Sequence, residues 1–212
     1  MEMDLPDKTA ITIEAYNKNA GHYAKKFTGY GPYAKHVAEF AGHLAEGAKV
    51  LDVGCGPGNT AKQLCELKQV KLTGLDLSQA MVDEAKIHVP SGGFYLQDIR
   101  SAFFEPKSFD AVLLSFCIVH LQDDEAESLI TRAISWLPPG GFLYLSFMEG
   151  KRAGLETTSF SEQPLYFNYF SGNEMESLLT QNGMKCFRSV RQEYLEIDGS
   201  KTTDVFIFAQ KL

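Results

Sequence analysis

Several features that announce a special environment are scarce or missing. There are only four cysteines, Cys55, Cys65, Cys117 and Cys186, and no two of them form a C-x-x-C pair. Zinc-site spacing is therefore absent, and free thiols in a reducing compartment are expected. The longest apolar run, around Ala111 to Leu121, falls short of the ~20 residues that span a bilayer. The start, Met1 to Asp4, is acidic and carries no apolar h-region of a secretory signal. Basic residues are the minority, 20 Lys and Arg against 27 Asp and Glu, for a net charge of −7. A nucleic-acid surface needs clustered Lys and Arg, so that partner class is disfavoured. No G-K-[ST] sequence is present, which removes a Walker-type phosphate cradle. There is no internal repeat or low-complexity tract. The expectation is a soluble cytoplasmic protein that binds neither membrane nor nucleic acid.

What is present is ordinary globular composition, 44% apolar and 22% charged over 212 residues. That suits one domain, 1–212, with a sizeable core. Residues 8–28 carry a helical pattern that Gly21 is expected to interrupt or bend. Thr28 to Pro32 is a breaker, and a second helix follows from Tyr33 to Leu44.

The rest is organised around the stretch from Lys49 to Asn59. Lys49 to Val53 reads as a short buried strand. Gly54, Gly56 and Gly58 follow at alternate positions, where glycine tolerates positive φ and close approach of a ligand. A helix begins near Asn59 and Thr60, either of which is a candidate cap. In an open α/β sheet a ligand sits where strands end and helices begin. Asn59 stands where a dinucleotide fingerprint wants Gly or Ala. Asp52 would repel a nearby phosphate and suits a ligand carrying positive charge.

The stretch from Lys71 to Ser78 reads as a second strand ending in Asp76. A carboxylate there can take both hydroxyls of a ribose. Ser78 is a candidate cap for a helix from Gln79 to His88. A third strand, Phe94 to Gln97, leads to Asp98 and Ile99. Phe109 to Ser115 is an almost continuously apolar fourth strand, as expected when helices cover both faces. Gln122 to Trp136 is the next helix, and its opening acids, Asp123 to Glu125, suit a helix start. A Pro-Gly-Gly turn, Pro139 to Gly141, enters a fifth strand. Residues 148–170 break periodicity and read as a long loop. Ser171 caps a helix from Gly172 to Gln181, and two strands around Asp198 and Gly199 close the chain as an antiparallel hairpin. This order predicts an α/β fold, a doubly wound, mostly parallel sheet with helices on both faces.

The glycine turn and the Asp76 loop together resemble motif I and the acidic loop of class I S-adenosylmethionine (SAM)-dependent methyltransferases, of the small-molecule type. The resemblance extends through Phe109 to Leu121, which matches the family's F-D-x-V…H-L stretch, and through the Leu137 to Leu143 turn. It also covers Tyr16 to Tyr23, similar to a Y-(N/D)-x-x-A-x-x-Y segment. It implies a seven-stranded Rossmann-like sheet with an antiparallel last strand, an N-terminal helical lid over 1–46, and an acceptor-site cover over 148–170.

It further implies SAM as cofactor, S-adenosylhomocysteine as product, and a small-molecule acceptor. Gly54, Cys55, Gly56 and Asp52 would hold the cofactor at the first turn, and Asp76 its ribose. Leu77 would lie against the adenine. Met81 is either its neighbour or plain core packing. Asp98 would accept from the adenine amino group, with Ile99 beside the ring. Ser115 and Phe116, with Cys117, would line the sulfonium end mainly through backbone groups. Tyr16 and Tyr23 would sit near the methionine, or simply pack their helix on the sheet. His120 is the candidate base, with an ordinary pKa of ~6.5 suited to proton transfer near neutrality; the other reading has it close the turn into the next helix. Tyr16, Tyr23, Glu149 and Tyr169 are further candidates near the mouth. A non-catalytic SAM-binding protein is the competing hypothesis, and an NAD-dependent oxidoreductase is disfavoured by Asn59 and Asp52. No metal is required.

Overall fold

The computed structural model describes residues 7–27, 31–195, 199 and 201–212. The acidic start, the first part of the Thr28 to Pro32 breaker and Asp198 of the closing turn lie outside the described residues.

Helices α1 (Lys8–Phe27) and α2 (Gly31–Ala41) precede the sheet. Strands and helices then alternate: β1 (Lys49–Val53), α3 (Asn59–Leu67), β2 (Lys71–Asp76), α4 (Gln79–His88), β3 (Gly93–Leu96), β4 (Ala111–Ser115), α5 (Asp123–Ser135) and β5 (Phe142–Glu149). A 3₁₀ turn, Ile118–His120, follows β4. After β5 come β6 (Gly154–Thr158), β7 (Ser161–Phe167), α6 (Gly172–Gln181), β8 (Met184–Leu195) and β9 (Lys201–Lys211). Seven strands form one sheet in the order β3-β2-β1-β4-β5-β9-β8. β1 to β5 pair in parallel, and β9 runs antiparallel to both β5 and β8. The strand that ends the chain therefore lies inside the sheet, with β8 at the edge.

Each face carries its own apolar cluster. On one, Leu51, Val53, Val112 and Leu114 pack against Leu129, Ile130 and Ala133 of α5 and Leu179 of α6. On the other, Val50, Leu113 and Phe208 pack against Val37 and Phe40 of α2, Leu64 of α3 and Val82 of α4. Alternation along each strand sends neighbouring residues to opposite faces, and double coverage explains why the central strands are apolar throughout. β1 and β4 are neighbours, so chain connections leave the sheet in opposite directions between their C-terminal ends. In open α/β sheets that crevice takes the ligand.

Three local expectations differ from the structure. Helix α1 runs unbroken through Gly21, which is exposed and has nothing around it; buried Ala20 and Ala24 hold the helix there and offset the ~1 kcal/mol glycine penalty. Neither Asn59 nor Thr60 caps α3: Gly58 is the N-cap, with φ 79°. Residues 148–170 are not an open loop, since β6 and β7 form a separate antiparallel ribbon. Pro164 and an irregularity between Glu156 and Thr158 break the period-two pattern that would have announced it. A two-stranded ribbon has only edge strands, where proline is tolerated.

The glycine turn is fixed by packing as well as by φ. Gly54 has φ 66°, and a Cβ there would lie 2.4 Å from the Cβ of Cys117, against the turn that follows β4. Gly54→Ala is therefore expected to cost about 2–4 kcal/mol, from overpacking and left-handed strain together. Denaturant unfolding checks this, and a variant as stable as the parent contradicts the packing account.

Candidate functional site

Two cavities open at the C-terminal ends of the parallel strands. The smaller, about 120 Å³, is lined by Asp76, Leu77, Ser78 and Met81 after β2 and by Asp98, Ile99 and Arg100 after β3. The larger, about 500 Å³, runs from Asp52 and the glycine turn under α1 and the β6–β7 ribbon. Both share Tyr16, Tyr23, Gly54, Gly56, Ser115, Phe116 and His120 in their walls. All the residues singled out above for cofactor or base roles, Glu149 excepted, lie on one wall or the other. Cys55 and Asp52 face only the larger cavity, and Leu77, Met81, Asp76, Asp98 and Ile99 only the smaller.

Asp52 is 1% exposed, and neither of its carboxylate oxygens has a hydrogen-bond partner among the described residues. Burial, then the nearby Asp76 carboxylate, pushes its pKa up to about 7. An ionised carboxylate cannot stay unpaired in such a place without large cost. A cationic ligand in the larger cavity would relieve it.

Asp76 is held by the turn it faces. Gly56 N–H donates to Oδ2 at 2.8 Å and Ser78 N–H to Oδ1 at 2.9 Å. Burial raises its pKa and these backbone donors oppose the rise. Each oxygen keeps a lone pair for an incoming hydroxyl. Gly56 has φ 52°, and a Cβ there would enter open space, so this glycine leaves room in the cavity wall where Gly54 serves packing.

At the other end, Arg100 grips Asp98 through both carboxylate oxygens, at 2.7–3.1 Å. That guanidinium holds the Asp98 pKa below the usual range, and it also reaches Glu125 at 3.3 Å and Thr9 of α1 at 3.2 Å. No local sequence pattern announces this ion pair. Ser78 caps α4 as expected, accepting from Met81 N–H at 3.3 Å, and also donates to Asn17 of α1 at 2.7 Å. Met81 is both buried core and cavity wall.

His120 lies where the cavities meet. Its Nδ1 is 2.8 Å from the carbonyl oxygen of Tyr166, which can only accept, so Nδ1 carries the proton. Nε2 is then the acceptor for the Tyr16 hydroxyl at 2.9 Å. Burial pulls the His120 pKa down to about 4, so the ring is neutral with its lone pair aimed at Tyr16. Burial likewise raises Tyr16 well above the ordinary tyrosine value and Tyr23 to about 12. Both tyrosines also pack, with ring centroids 5.6 Å apart, edge to face. Phe116 adopts φ 52° and is held by Ser146, whose carbonyl and hydroxyl oxygens accept from its N–H at 3.0 and 3.1 Å.

Glu149 does not reach the mouth: its carboxylate accepts from Gly172 N–H at 2.8 Å and pairs with Arg191 at 3.2 Å, serving the start of α6. Tyr169 does line the larger cavity and donates to Glu156 at 2.8 Å. Tyr33, Gln63, Tyr144 and Asp204, all in that wall, were not singled out in the sequence, while the ribbon residues Glu156 to Phe160 fall in the stretch 148–170 expected to cover the acceptor site. Asp204, on the distant β9, carried no local signal, and Tyr33, Gln63 and Tyr144 read as ordinary helix and strand positions.

A methyltransferase-domain family model matches residues 50–141, the stretch from β1 to the turn before β5. Phosphoethanolamine N-methyltransferase 2 of Caenorhabditis elegans is 32% identical over 181 residues, 82% of this chain and 40% of that protein. Residues 50–141 of this chain are thus similar to a methyltransferase domain. Trans-aconitate 2-methyltransferase of Delftia acidovorans is 37% identical over 111 residues, 51% of this chain and 41% of that protein. The chain thus spans about two-fifths of the length of these curated relatives. The SAM-bound crystal structure of magnesium protoporphyrin IX methyltransferase from Synechocystis PCC 6803 shares the fold, with TM-score 0.72, 19% identity, and coverage of 99% of this chain and 100% of that one. Among the described residues no helix is long and apolar enough to cross a membrane.

The Asp52 environment sets a stability test. Its folded pKa lies above the unfolded value near 4, so ionisation disfavours the fold. The cost is absent below about pH 4, grows as pH rises to about 7, and is constant above. Asp52→Asn should therefore stabilise the ligand-free protein at about pH 8 by at least about 2 kcal/mol, with little difference near pH 4. Thermal unfolding at the two pH values checks this, and a variant no more stable at the higher pH contradicts it.

Proposed function

We propose that this chain transfers the methyl group of SAM to a small-molecule acceptor. The observation that carries the reading is Asp52: a buried carboxylate with no hydrogen-bond partner among the described residues, opening on a cavity that shares a wall with the Asp76 site. SAM is an amino acid joined to a nucleoside. Its ammonium meets the need of Asp52, and its ribose hydroxyls meet the free lone pairs of Asp76. An NAD reading would bring pyrophosphate close to the Asp52 charge.

When bound, SAM supplies a methyl already activated on a sulfonium. The chain's own residues do the rest. Asp52 takes the ammonium, Asp76 the ribose, and Leu77, Met81 and Ile99 flank the base, whose amino group Asp98 accepts from. None of the three acids is assigned to the sulfur, where fixed negative charge would favour the ground state over the transition state. Ser115 and Phe116 line the sulfonium end, and orientation alone can lower such a barrier by ~7–11 kcal/mol. Helix α1 and the ribbon cover the site: Tyr166 N–H donates to Thr12 at 3.0 Å, Asn19 to Ser161 at 3.1 Å, and Lys26 to Ser159. His120 and Tyr16 remove the acceptor's proton as a pair. The low pKa of His120 keeps Nε2 unprotonated, and the proton it takes becomes acidic as the new bond to carbon forms. This pair favours an enzyme over a protein that merely holds SAM. The four cysteines are unpaired, in keeping with work in the reducing cytoplasm.

Tyr16→Phe and His120→Ala should each lower turnover about 10²–10⁴-fold. S-adenosylhomocysteine affinity, measured by calorimetry, should stay within about threefold for Tyr16→Phe, since the ring and its packing remain. Unchanged turnover in both variants removes the proton-transfer role.

A further inference from the structure

The larger cavity continues past the shared wall, beyond what a methionine tail would fill, and its lining has a consistent chemistry. Three carboxylates, Asp52, Glu156 and Asp204, face two ammoniums, Lys26 and Lys151, and no arginine appears among the described lining residues. Lys151 already lies 3.5 Å from the Glu156 carboxylate, and Lys26 donates to Ser159. Asp204 is 3% exposed and accepts from the Tyr33 hydroxyl at 2.6 Å. With Asp52 given to the ammonium of SAM, Glu156 and Asp204 match Lys26 and Lys151, so a polyanion entering here would find no excess positive charge to receive it.

The polar atoms of the wall lean the same way. Apart from Asp52, the buried lining atoms without a partner among the described residues are Gln63 Oε1 and Thr158 Oγ1. The amide oxygen can only accept, and the hydroxyl can do so. Such groups call for N–H or O–H donors on the occupant. Aromatic faces complete the wall: Tyr16 and Phe160 stack at 5.8 Å and 14°, Tyr23 meets Phe160 edge to face at 4.9 Å, and Tyr33 stacks with Phe116 at 5.3 Å. Aromatic walls with a few convergent acceptors suit flat apolar bodies and cations.

Building on the methyltransferase reading, we propose that the acceptor is a neutral or singly cationic amine on a flat, apolar body, and not a carboxylate-rich or phosphate-bearing molecule. The amine reacts in its neutral form, a cationic one first giving up a proton to solvent; its lone pair attacks the methyl carbon as the carbon–sulfur bond breaks, the bonding pair staying on sulfur. The displaced N–H proton passes to the Tyr16 oxygen as the Tyr16 proton moves to Nε2 of His120. The acceptor's donors bond to Gln63 and Thr158, and its ring lies among Tyr16, Phe160 and Tyr23.

The test uses the full chain saturated with S-adenosylhomocysteine and three calorimetric probes: tyramine, a flat ring bearing one ammonium, trans-aconitate and phosphoethanolamine. Tyramine should bind at least about tenfold more tightly than either anion, and the Gln63→Leu, Thr158→Val double variant should weaken it about fivefold or more with S-adenosylhomocysteine affinity retained. Either anion binding as tightly as tyramine, no tyramine binding, or a double variant with unchanged tyramine affinity overturns the proposal. Failure of S-adenosylhomocysteine itself to bind overturns the methyltransferase reading and this one with it.

Discussion

A carboxylate placed at the end of the central strand, out of reach of water and of any hydrogen-bond donor described in the fold, imposes itself on everything around it. Asp52 follows Leu51 in β1 and points to the face covered by α2 and α3. The next residue, Val53, returns to the opposite apolar cluster. The strand cannot turn Asp52 away without also turning its neighbours out of the core. Asp76 adds a second negative charge at the end of the adjacent strand. Native proteins seldom leave such a group unmatched unless function requires it. A ligand with an ammonium and a vicinal diol satisfies both acids at once, and this joint demand narrows the ligand class more than either acid alone.

The cover over the site is built from pieces far apart in sequence. Helix α1 is bound to the β6–β7 ribbon through Thr12 and Asn19, to α4 through Asn17, and to the loop after β3 through Thr9 and Arg100. Most of these contacts are single hydrogen bonds between partly exposed side chains, each worth about 1 kcal/mol. The sheet beneath is held by two large apolar clusters. The cover is therefore the weaker layer, and opening it disturbs little of the core. His120 joins the layers, with Nδ1 on the ribbon backbone and Nε2 on α1. In the proposed reaction, the proton-transfer pair and the cover thereby meet at one imidazole.

The central sheet was legible because its signals are local. Buried parallel strands are short apolar runs, glycines mark the turn between β1 and α3, and Ser78 and Ser171 cap helices by rules that span three residues. The acids at strand ends could be read for the same reason. What escaped reading depends on distance or on broken periodicity. The ribbon carries Pro164 and an irregular register, so no alternation appears. Arg100 binding Asp98 looks in sequence like any surface pair. Asp204 joins the cavity only because β9 inserts beside β5, a pairing that no local pattern announces. The Tyr16–His120 bond spans 104 positions; each residue could be singled out alone, but not their contact.

The most direct test of the account follows the proton on Asp52. Calorimetric titration with S-adenosylhomocysteine at about pH 5.5, in buffers of different ionisation enthalpy, counts protons exchanged on binding. A carboxylate that is protonated in the empty cavity and ionised against the ligand's ammonium releases close to one proton, and Asp52→Asn abolishes the release. Binding with no proton release by the parent protein, or a release that persists in Asp52→Asn, would contradict the claim that this buried acid receives the ligand's charge.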